Sequence, residues 1–358
     1  MREINGYILH FFPYEKFTES YVKFIYEYFN NDKHIFLLFG DEKLYVGDLN
    51  EILRFEHIYK INSIKIKQIV NLILKSHKII LHGLFNFKLY LLINIFGSNK
   101  CGVLFWGGDI EGLKSNTENL KRFIKKILLK FFFKKNICIN LIENDYFVLT
   151  KELGYNFKQH YITSYYTDQY KNQVVKLPKR IPNKEINILL GNSATTTNNH
   201  FEIIDALSRF SDKNIKVYIP LSYGDMKYGD EVETYAKLAL GDKTTALRNF
   251  MNPEDYNNFL NNMDIAIFNY NRQQGLGNIN RLLMLRKKVY INFNSGLLSH
   301  YKKMGIKVYD SKSLREIEYN DFVLINDEIV ENNRNKIIEN MSYKRIIKLW
   351  KVVFESDW

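Results

Sequence analysis

Residues 264–292, DIAIFNYNRQQGLGNINRLLMLRKKVYIN, constrain the fold more than any other stretch of this chain. Apolar residues at 265–268 predict a buried strand, those at 279–285 predict one face of a short helix, and residues 289–291 predict another strand. Strand, helix and strand form a βαβ unit, whose parallel strands need a right-handed crossover. The polar loop before the helix is therefore expected at the carboxyl edge of a sheet, where open α/β sheets bind ligands.

Strand and helix patterns alternate on both sides of a polar stretch that carries two prolines and has no clear period. Such alternation predicts parallel sheets with helices on both faces. The prediction is an α/β fold of the GT-B type, with two Rossmann-like domains that face a central cleft, and the fold by itself does not give the function. The expected parts are an N-terminal domain at 1–162, a linker at 163–185, a C-terminal domain at 186–341, and a helix at 342–358 that closes back onto the first domain.

The individual elements follow from apolar periodicity. In the first half, helices are expected at 14–29, 64–75, 87–96, 113–135 and 143–153, and strands at 7–11, 34–39, 78–81, 102–106 and 137–141. In the second half, helices are expected at 200–210, 231–240, 254–261 and 342–358, and strands at 186–190 and 216–220 in addition to those of the βαβ unit.

Composition narrows the classes of partner. The net charge of +12 over 358 residues predicts an anionic partner, although an AT-rich genome would also raise the lysine content. No zinc-finger spacing or RNA-recognition signature occurs, so no nucleic-acid partner is expected. The two cysteines have no metal-ligand spacing, and the N-terminus is typical of a first strand rather than a signal peptide. No apolar run is long enough to span a bilayer, which favours a cytoplasmic or peripheral protein.

Three loops of the second half follow predicted strands and carry polar and glycine residues. Their hydroxyl, amide and guanidinium groups suit the phosphates and sugar hydroxyls of a ligand, with the diphosphate beside a helix N-terminus. The alternatives are a helix cap for the first loop, a plain turn for the second, and an ordinary surface loop for the third. The candidate donor-binding residues are Gly191, Asn192, Ser193, Tyr223, Gly224, Arg272, Gln273, Gln274, Gly275, Gly277 and Asn278.

Two residues of the first half are candidates for a catalytic base, and both lie at the end of a predicted strand. Asp109 follows two glycines, so its carboxylate could take a proton from an acceptor hydroxyl, or it could cap the next helix. His82 is the competing candidate, and a single histidine is more often structural. An inverting reaction needs such a base, whereas a retaining one does not, and the sequence leaves both open.

Residues 121–135, KRFIKKILLKFFFKK, combine seven basic with eight large apolar residues. Lysines fall all around the predicted helix, so a sharply amphipathic membrane helix is not evident. Lysine side chains can nevertheless reach an anionic leaflet while their stems cover apolar surface. Contact with the anionic inner membrane surface is one hypothesis, and an ordinary helix with a solvated basic face is the other.

Several short motifs together resemble one known family. GNS at 191–193, PLSYGD at 220–225, the aspartate before AIFN, and RQQGLGN at 272–278 resemble the TDP-N-acetylfucosamine:lipid II N-acetylfucosaminyltransferases, the 4-acetamidofucosyl transferases of enterobacterial common antigen synthesis. HGLFN at 82–86 and FWGGD at 105–109 resemble two further segments of that family. The resemblance extends from about residue 77 to 292 and so includes both halves.

The resemblance implies a GT-B enzyme that moves a deoxyamino sugar from a thymidine diphosphate donor to a polyprenyl-pyrophosphate-linked saccharide, at the cytoplasmic face of the inner membrane. No D-x-D triplet occurs, so no metal and no cofactor are expected, and backbone amides with Arg272 would stabilise the leaving diphosphate. The alternatives are a different nucleotide sugar with a soluble or protein acceptor, or a nucleotide- or nucleic-acid-binding protein without transfer activity. The sugar, the linkage and the oligomeric state stay open.

Overall fold

The computed structural model describes residues 6–15, 17–45, 49–114, 120–165 and 185–358. The chain divides into two compact units. The first unit comprises residues 1–169 together with 341–358, and the second comprises residues 170–340. Most of the linker expected at 163–185 lies outside the described residues.

A seven-stranded parallel sheet forms the centre of the first unit, in the order β3-β2-β1-β4-β5-β6-β7. Its central strands are almost wholly apolar because helices cover both faces. The strands are β1 Ile8–Pro13, β2 His34–Phe39, β3 Ile58–Lys60, β4 Lys78–His82, β5 Cys101–Phe105, β6 Ile137–Asn140 and β7 Gln159–Ile162.

Two separate apolar clusters lie on the two faces of this sheet. One face packs against α3 to α6, and the other against α1, α2 and the C-terminal helix α15. The indole Nε1 of Trp350 in α15 donates to the carbonyl oxygen of Ser164 at 3.0 Å, so the C-terminal helix packs on the first unit. The helices are α1 Thr18–Tyr28, α2 Leu49–Leu53, α3 Ile66–Lys75, α4 Phe87–Gly97, α5 Gly108–Lys114, α6 Leu120–Phe133, α7 Glu143–Phe147 and α15 Tyr343–Glu355.

The second unit is built on a six-stranded parallel sheet in the order β10-β9-β8-β11-β12-β13. The strand order reverses direction between β8 and β11, which is the switch point where such sheets bind ligands. The strands are β8 Ile186–Leu190, β9 Ile215–Pro220, β10 Thr244–Leu247, β11 Ile265–Phe268, β12 Lys288–Ile291 and β13 Tyr309–Asp310. The helices are α8 His200–Ser208, α9 Met226–Leu240, α10 Pro253–Asn261, α11 Leu276–Met284, α12 Leu297–Lys303, α13 Tyr319–Val323 and α14 Asp327–Asn340.

The α/β prediction is confirmed, and the strands at 34–39 and 186–190 begin and end where the apolar pattern places them. The edge strands β3, β7, β10 and β13 were not predicted, because each is at most four residues long and only partly buried. Of the expected helix at 113–135, residues 113–114 belong to α5 and residues 120–133 form α6, while 115–119 lie outside the described residues. Gly277 and Asn278, expected in a loop, lie in the first turn of α11.

Among the described residues, the structure contains no helix with the length and apolar character needed to cross a bilayer.

Candidate active site

Three loops meet at the carboxyl edge of the second sheet. They follow the neighbouring strands β9, β8 and β11, and they comprise residues 221–225, 191–199 and 269–275. Parallel strands present their carboxyl ends at the same edge, so the order of the strands alone brings these distant segments together. All of the donor-binding candidates lie in these loops or in the first turn of α11. Contact with a ligand stays a prediction for each of them.

Hydrogen bonds join the three loops directly. The amide of Gln274 bridges two of them, since its Oε1 accepts from Thr197 Oγ1 at 2.9 Å and its Nε2 donates to Asn192 Oδ1 at 3.2 Å. Asn192 also donates through Nδ2 to the hydroxyl of Tyr223 at 3.3 Å. The backbone of Ala194 pairs with residues 223–225, with N–H···O distances of 2.8 and 2.7 Å. The loops therefore support one another without a ligand.

Two glycines in these loops are required by the backbone. Gly191 has φ +70, and a Cβ there would lie 2.6 Å from the buried imidazole Nε2 of His200. Gly224 has φ +112, and a Cβ there would lie 2.5 Å from the carbonyl oxygen of Ala194. Both conformations fall in the region that side chains with a Cβ adopt at a cost. These glycines hold the loops close together.

Gly275 and Gly277 differ from each other. Gly275 has φ +67, caps α11, and lies over the ring of Tyr270, whose hydroxyl a Cβ would approach to 2.9 Å. A Cβ at Gly277 would meet no atom within 4 Å. Open space beside a helix N-terminus, where backbone N–H groups have no intrahelical acceptor, is room for a phosphate oxygen.

Several polar groups at this edge have no partner among the described residues. The guanidinium Nε of Arg272 is buried and makes no hydrogen bond. The hydroxyl of Tyr270 is also buried and unpaired, and burial raises its pKa well above the usual value. Buried polar atoms in native proteins are nearly always paired, so unpaired ones beside an open helix terminus indicate a ligand. Tyr270 and His200, whose Nε2 is unpaired beside Gly191, carried no recognisable sequence signal.

Asp109 joins two segments of the first unit. Its carboxylate accepts from the backbone N–H groups of Leu84 at 2.9 Å, Trp106 at 2.9 Å and Ile110 at 3.0 Å. HGLFN and FWGGD are therefore held side by side by this one side chain. Burial raises the pKa of Asp109 and the three N–H donors oppose that shift. Asp109 lies in the first turn of α5 and not at its N-cap position, so these contacts are not those of a helix N-cap, and its role as a base stays a prediction.

His82 is fully buried at the end of β4, so it does not present a nitrogen to solvent. Its Nδ1 lies 2.6 Å from the hydroxyl of Tyr165, and its Nε2 lies 3.1 Å from Nδ1 of His10. Trp106 donates from Nε1 to the same tyrosine hydroxyl at 3.0 Å. HGLFN and FWGGD thus converge on Tyr165, a residue that the sequence analysis assigned to the linker.

Asp145, in the first turn of α7, is a further buried acid that the sequence analysis missed. Burial and the negative charge of Asp109 raise its pKa to about 7, and Lys114 partly opposes the shift. Its Oδ2 has no hydrogen-bond partner among the described residues. A carboxyl group that titrates near neutral pH is suited to proton transfer. In the sequence it resembled an ordinary acidic residue in a first helical turn.

In helix α6 the apolar side chains fall into a buried group and an exposed group, which the helical wheel of its sequence did not separate. Leu129 and Phe133 face the core, whereas an outward stripe of apolar side chains is exposed. Exposed lysines at 121, 126, 130 and 134 flank this stripe. The outward stripe, called the α6 face below, consists of Leu120, Phe123, Ile124, Ile127 and Phe131.

One group of described residues has the geometry to hold a metal ion, and it lies away from these edges. Asp32, Glu56 and His57 have potential ligand atoms within 4.8 Å of one another. They precede β2 and β3 at the amino edge of the first sheet, and both carboxylates are exposed. Exposed acidic groups of this kind are common without a metal, so the expectation of metal-independent chemistry stays a prediction.

The chain matches the model of one protein family over residues 24–316, and that family is described as 4-alpha-L-fucosyltransferase, glycosyl transferase group 56. It is similar to the solved glycosyltransferase of Rickettsia africae ESF-5, with TM-score 0.70, 16% identity, and 99% and 98% of the two chains covered. It is similar to Anabaena HepE in complex with UDP and glucose, with TM-score 0.68, 12% identity, and 99% and 100% covered.

A third similar structure is sucrose-phosphate synthase from Thermosynechococcus elongatus, with TM-score 0.67, 9% identity, and 99% and 100% of the chains covered. At these identities the likeness concerns the fold, which is the GT-B fold predicted from the sequence. Both the family match and the solved structures extend across both units.

Proposed function

Because this chain belongs to the 4-alpha-L-fucosyltransferase family, glycosyl transferase group 56, we propose that it is a glycosyltransferase whose donor is a deoxyamino sugar of the N-acetylfucosamine type on thymidine diphosphate. The proposed acceptor is a saccharide carried on polyprenyl pyrophosphate, as in the synthesis of a bacterial surface polysaccharide. Glycosyl transfer itself agrees with the family and with the fold. The nucleotide, the sugar and the acceptor are the proposed parts.

The single observation that carries the proposal is the three-loop site at the switch point of the second sheet. Arg272 has an unpaired, buried Nε, and the N-terminus of α11 beside Gly277 is open. A guanidinium and a helix N-terminus together suit a diphosphate, because both offer N–H donors and positive charge. The polar side chains of Gln273, in the same loop, and Asn278, in the first turn of α11, would contact the sugar or phosphate.

The reaction needs an acceptor hydroxyl oxygen to form a bond to the anomeric carbon while the bond from that carbon to the phosphate oxygen breaks. The nucleoside diphosphate leaves with the electron pair of that bond. Preorganised N–H donors stabilise its developing charge without a metal ion. The donors proposed here are Arg272 and the first N–H groups of α11, with the amides of Gln273 and Gln274 fixing the sugar.

A nucleotide panel tests the donor. Thermal unfolding should be measured with TDP, UDP and GDP in the absence of divalent metal, and at about 100 times Kd a ligand adds about 2.7 kcal/mol to the free energy of unfolding. Stabilisation by TDP above the others is expected. Stabilisation by UDP alone, the nucleotide in the HepE complex, would overturn the thymidine assignment and favour another nucleotide sugar with a different acceptor.

The variant Gly277→Val tests nucleotide binding separately from the stability of the fold. An added Cβ meets no atom within 4 Å at this position, and the larger valine side chain would occupy the volume proposed for a phosphate oxygen. Loss of nucleotide binding with an unchanged melting temperature is the expected result. Retained affinity for every nucleotide would place the diphosphate elsewhere.

The α6 face supports a peripheral position on an anionic membrane. Its five apolar side chains are exposed along one stripe, and exposed lysines flank them. A helix of this kind lies in the interface with its apolar face in the acyl boundary. Each lysine near an anionic leaflet contributes about 1 kcal/mol to the free energy of membrane binding. The same surface would bring the enzyme to a lipid-linked acceptor.

Vesicle sedimentation tests the membrane assignment. The full chain should bind phosphatidylglycerol vesicles and bind phosphatidylcholine vesicles weakly. The double variant Phe123→Ser/Ile127→Ser should lose this binding, while the control Leu238→Ser, which replaces an exposed leucine on α9, should retain it. Equal binding by all three proteins would remove the α6 face from the proposal and leave a soluble acceptor as the better reading.

A further inference from the structure

Three buried histidines form a continuous hydrogen-bonded chain across the first sheet. His34 begins β2, His10 lies in the middle of β1, and His82 ends β4. His34 Nδ1 lies 2.9 Å from His10 Nε2, and His10 Nδ1 lies 3.1 Å from His82 Nε2. The strand register places all three on one face, so the chain runs diagonally from the amino edge to the carboxyl edge.

The row of hydrogen-bonded histidines ends at Tyr165, which follows β7 at the carboxyl edge of the sheet and is 6% exposed, whereas His82 is fully buried. The hydroxyl of Tyr165 lies 2.6 Å from Nδ1 of His82 and accepts from the indole N–H of Trp106. Indole is a donor only, so the oxygen of Tyr165 is the acceptor in that bond and its own proton is free to point at His82. Both segments that the sequence singled out in this unit, HGLFN and FWGGD, therefore end on one hydroxyl group.

The tautomer of one histidine fixes the direction of every hydrogen bond between the three rings. A neutral imidazole has one donor nitrogen and one acceptor nitrogen. If Tyr165 donates to His82 Nδ1, then each histidine carries its proton on Nε2, and the next ring accepts at Nδ1. The reversed set, with every proton on Nδ1, satisfies the same distances. The three histidines therefore have two hydrogen-bonded arrangements, and the conversion of the first into the second takes up one proton at Tyr165 and releases one at His34.

The surroundings keep these rings neutral. His10 stacks on Phe36 at 4.5 Å and His82 stacks on Phe12 at 4.2 Å between ring centroids. Burial lowers the pKa of His10 and His82 well below the usual value and lowers that of His34 to about 3, with Lys33 adding to the shift at His34. Tyr21, which is itself buried, also packs against the rings of His10 and His82.

We propose that Tyr165 is the group that receives the proton of the acceptor hydroxyl, and that His82, His10 and His34 carry a proton from it to the opposite edge of the sheet. The acceptor O–H bond breaks and a new O–H bond forms at Tyr165, whose former proton moves to His82 Nδ1. His82 passes its Nε2 proton to His10, His10 passes its Nε2 proton to His34, and His34 releases its Nε2 proton to water.

Charge and atoms balance in this scheme. Each side chain is neutral before and after the shift, and the oxygen of the acceptor becomes the bridging oxygen of the new glycoside. The shift leaves every histidine proton on Nδ1, so the reverse shift, with uptake of a proton from water at His34 and release of one at Tyr165, restores the starting tautomers before the next turnover. The electron pair of the broken donor bond leaves with the nucleoside diphosphate. No carboxylate is needed at the acceptor, which agrees with the use of both oxygens of Asp109 to hold backbone N–H groups. The inference rests on the proposed glycosyl transfer.

Tyr165→Phe removes only the hydroxyl oxygen. The expected result is a fall in kcat of about 100-fold or more, the usual contribution of general acid–base catalysis, with KM for the donor unchanged. The matched control is Tyr21→Phe. Tyr21 packs against the same His82 ring at 5.0 Å, but its hydroxyl has no partner among the described residues, so turnover should be retained. Equal turnover in both variants would overturn the proposal.

A substitution of His10, the middle histidine, distinguishes proton transfer through all three histidines from proton transfer to Tyr165 alone. His10→Phe keeps an aromatic ring stacked on Phe36 and removes both nitrogens. We expect its kcat to fall as in Tyr165→Phe, with a solvent deuterium isotope effect that reports several protons in the wild type and fewer in the variant. Full turnover in His10→Phe would show that Tyr165 works without the histidines and would end the relay.

Nuclear magnetic resonance tests the hydrogen bonds between the three histidines without any substrate. The folded wild-type protein, labelled with nitrogen-15 in histidine, should show scalar couplings across two N–H···N hydrogen bonds and one shared tautomer for the three rings. Absence of these couplings would overturn the relay even if the enzyme transfers sugar. Couplings present in a protein that transfers no nucleotide sugar would instead refute the proposed function.

Discussion

The carboxyl edges of the two sheets differ in how their polar side chains are paired and buried. In the second unit, polar side chains join three loops at the edge, and groups such as Arg272 Nε remain unpaired. In the first unit, the polar groups are drawn into an aromatic core, where His82 and Asp109 are already fully engaged. The second edge is arranged to receive charge, whereas the first holds His82 and Asp109 in buried positions with protein partners.

The difference indicates a division of labour. A diphosphate is recognised by donors that are held in place and not yet used, because an unused donor has no protein bond to break when the ligand arrives. A proton is best moved between groups whose protonation burial has shifted, because their protonation then depends on the partner they contact and not on bulk water. The predictions below test this comparison at one edge or the other.

The largest expected effect concerns the buried acid of the first edge. Burial raises the pKa of Asp145 to about 7, so between about pH 4 and 7 the folded state binds more protons than the unfolded state. The free energy of unfolding then falls as the pH rises through that window. Asp145→Asn should therefore be more stable than the wild type at pH 8, by up to about 4 kcal/mol, and show little difference at pH 4. Urea unfolding at both pH values measures this, and a pH-independent difference would contradict it.

Gly191→Ala should strongly destabilise the second edge. The residue has φ +70, and the added Cβ would lie 2.6 Å from His200 Nε2 and 2.8 Å from Asn198 Oδ1. Left-handed backbone and the clash together should cost about 3 kcal/mol. Gly277→Ala is the control, since it meets no atom within 4 Å and should be neutral or slightly stabilising. Equal losses in chemical denaturation would mean that Gly277 is also structural.

Asp109→Asn should act on the first edge and leave the second unchanged. The new amide nitrogen would face a backbone N–H in place of a carboxylate oxygen, and one unpaired buried donor costs about 2 kcal/mol. Glu111→Gln, at an exposed neighbour that pairs with Lys114 at 3.7 Å, is the matched control and should shift stability by less than about 0.5 kcal/mol. Nucleotide affinity should be the same in all three proteins. Weakened nucleotide binding in Asp109→Asn would contradict the separation of the two edges.

The smallest expected effect is that of Gln274→Ala. This residue joins two loops through Thr197 and Asn192 at the partly exposed edge, so its loss should cost about 1 kcal/mol of stability. Affinity for the nucleotide sugar should fall about tenfold if the same amide fixes the ligand. Isothermal titration with the preferred nucleotide measures the affinity. A variant that loses stability but keeps full affinity would make Gln274 a loop anchor alone.

The predictability of the site differed between the two units for a physical reason. Residues 272–278 were recognised because a glycine-containing polar loop between an apolar strand and a helix is a local pattern. The same rule located residues 191–193 and 223–224, and the strand order then brought all three segments together. Tyr165 was assigned to a linker, because nothing adjacent to it in the sequence indicates its contact with His82.

Local patterns in the sequence were sufficient to predict the alternation of strands and helices, the polar loops that follow their strands, and the membership of a glycosyltransferase family. Periodicity and turn chemistry act over a few residues, so a linear pattern contains them. The hydrogen-bonded row of His10, His34 and His82 could not be predicted, because each bond joins residues of different strands, 24 positions apart in one case and 72 in the other. Only the tertiary structure decided that Asp109 is enclosed by backbone N–H groups, since burial is a property of the packed sheet and not of the residue.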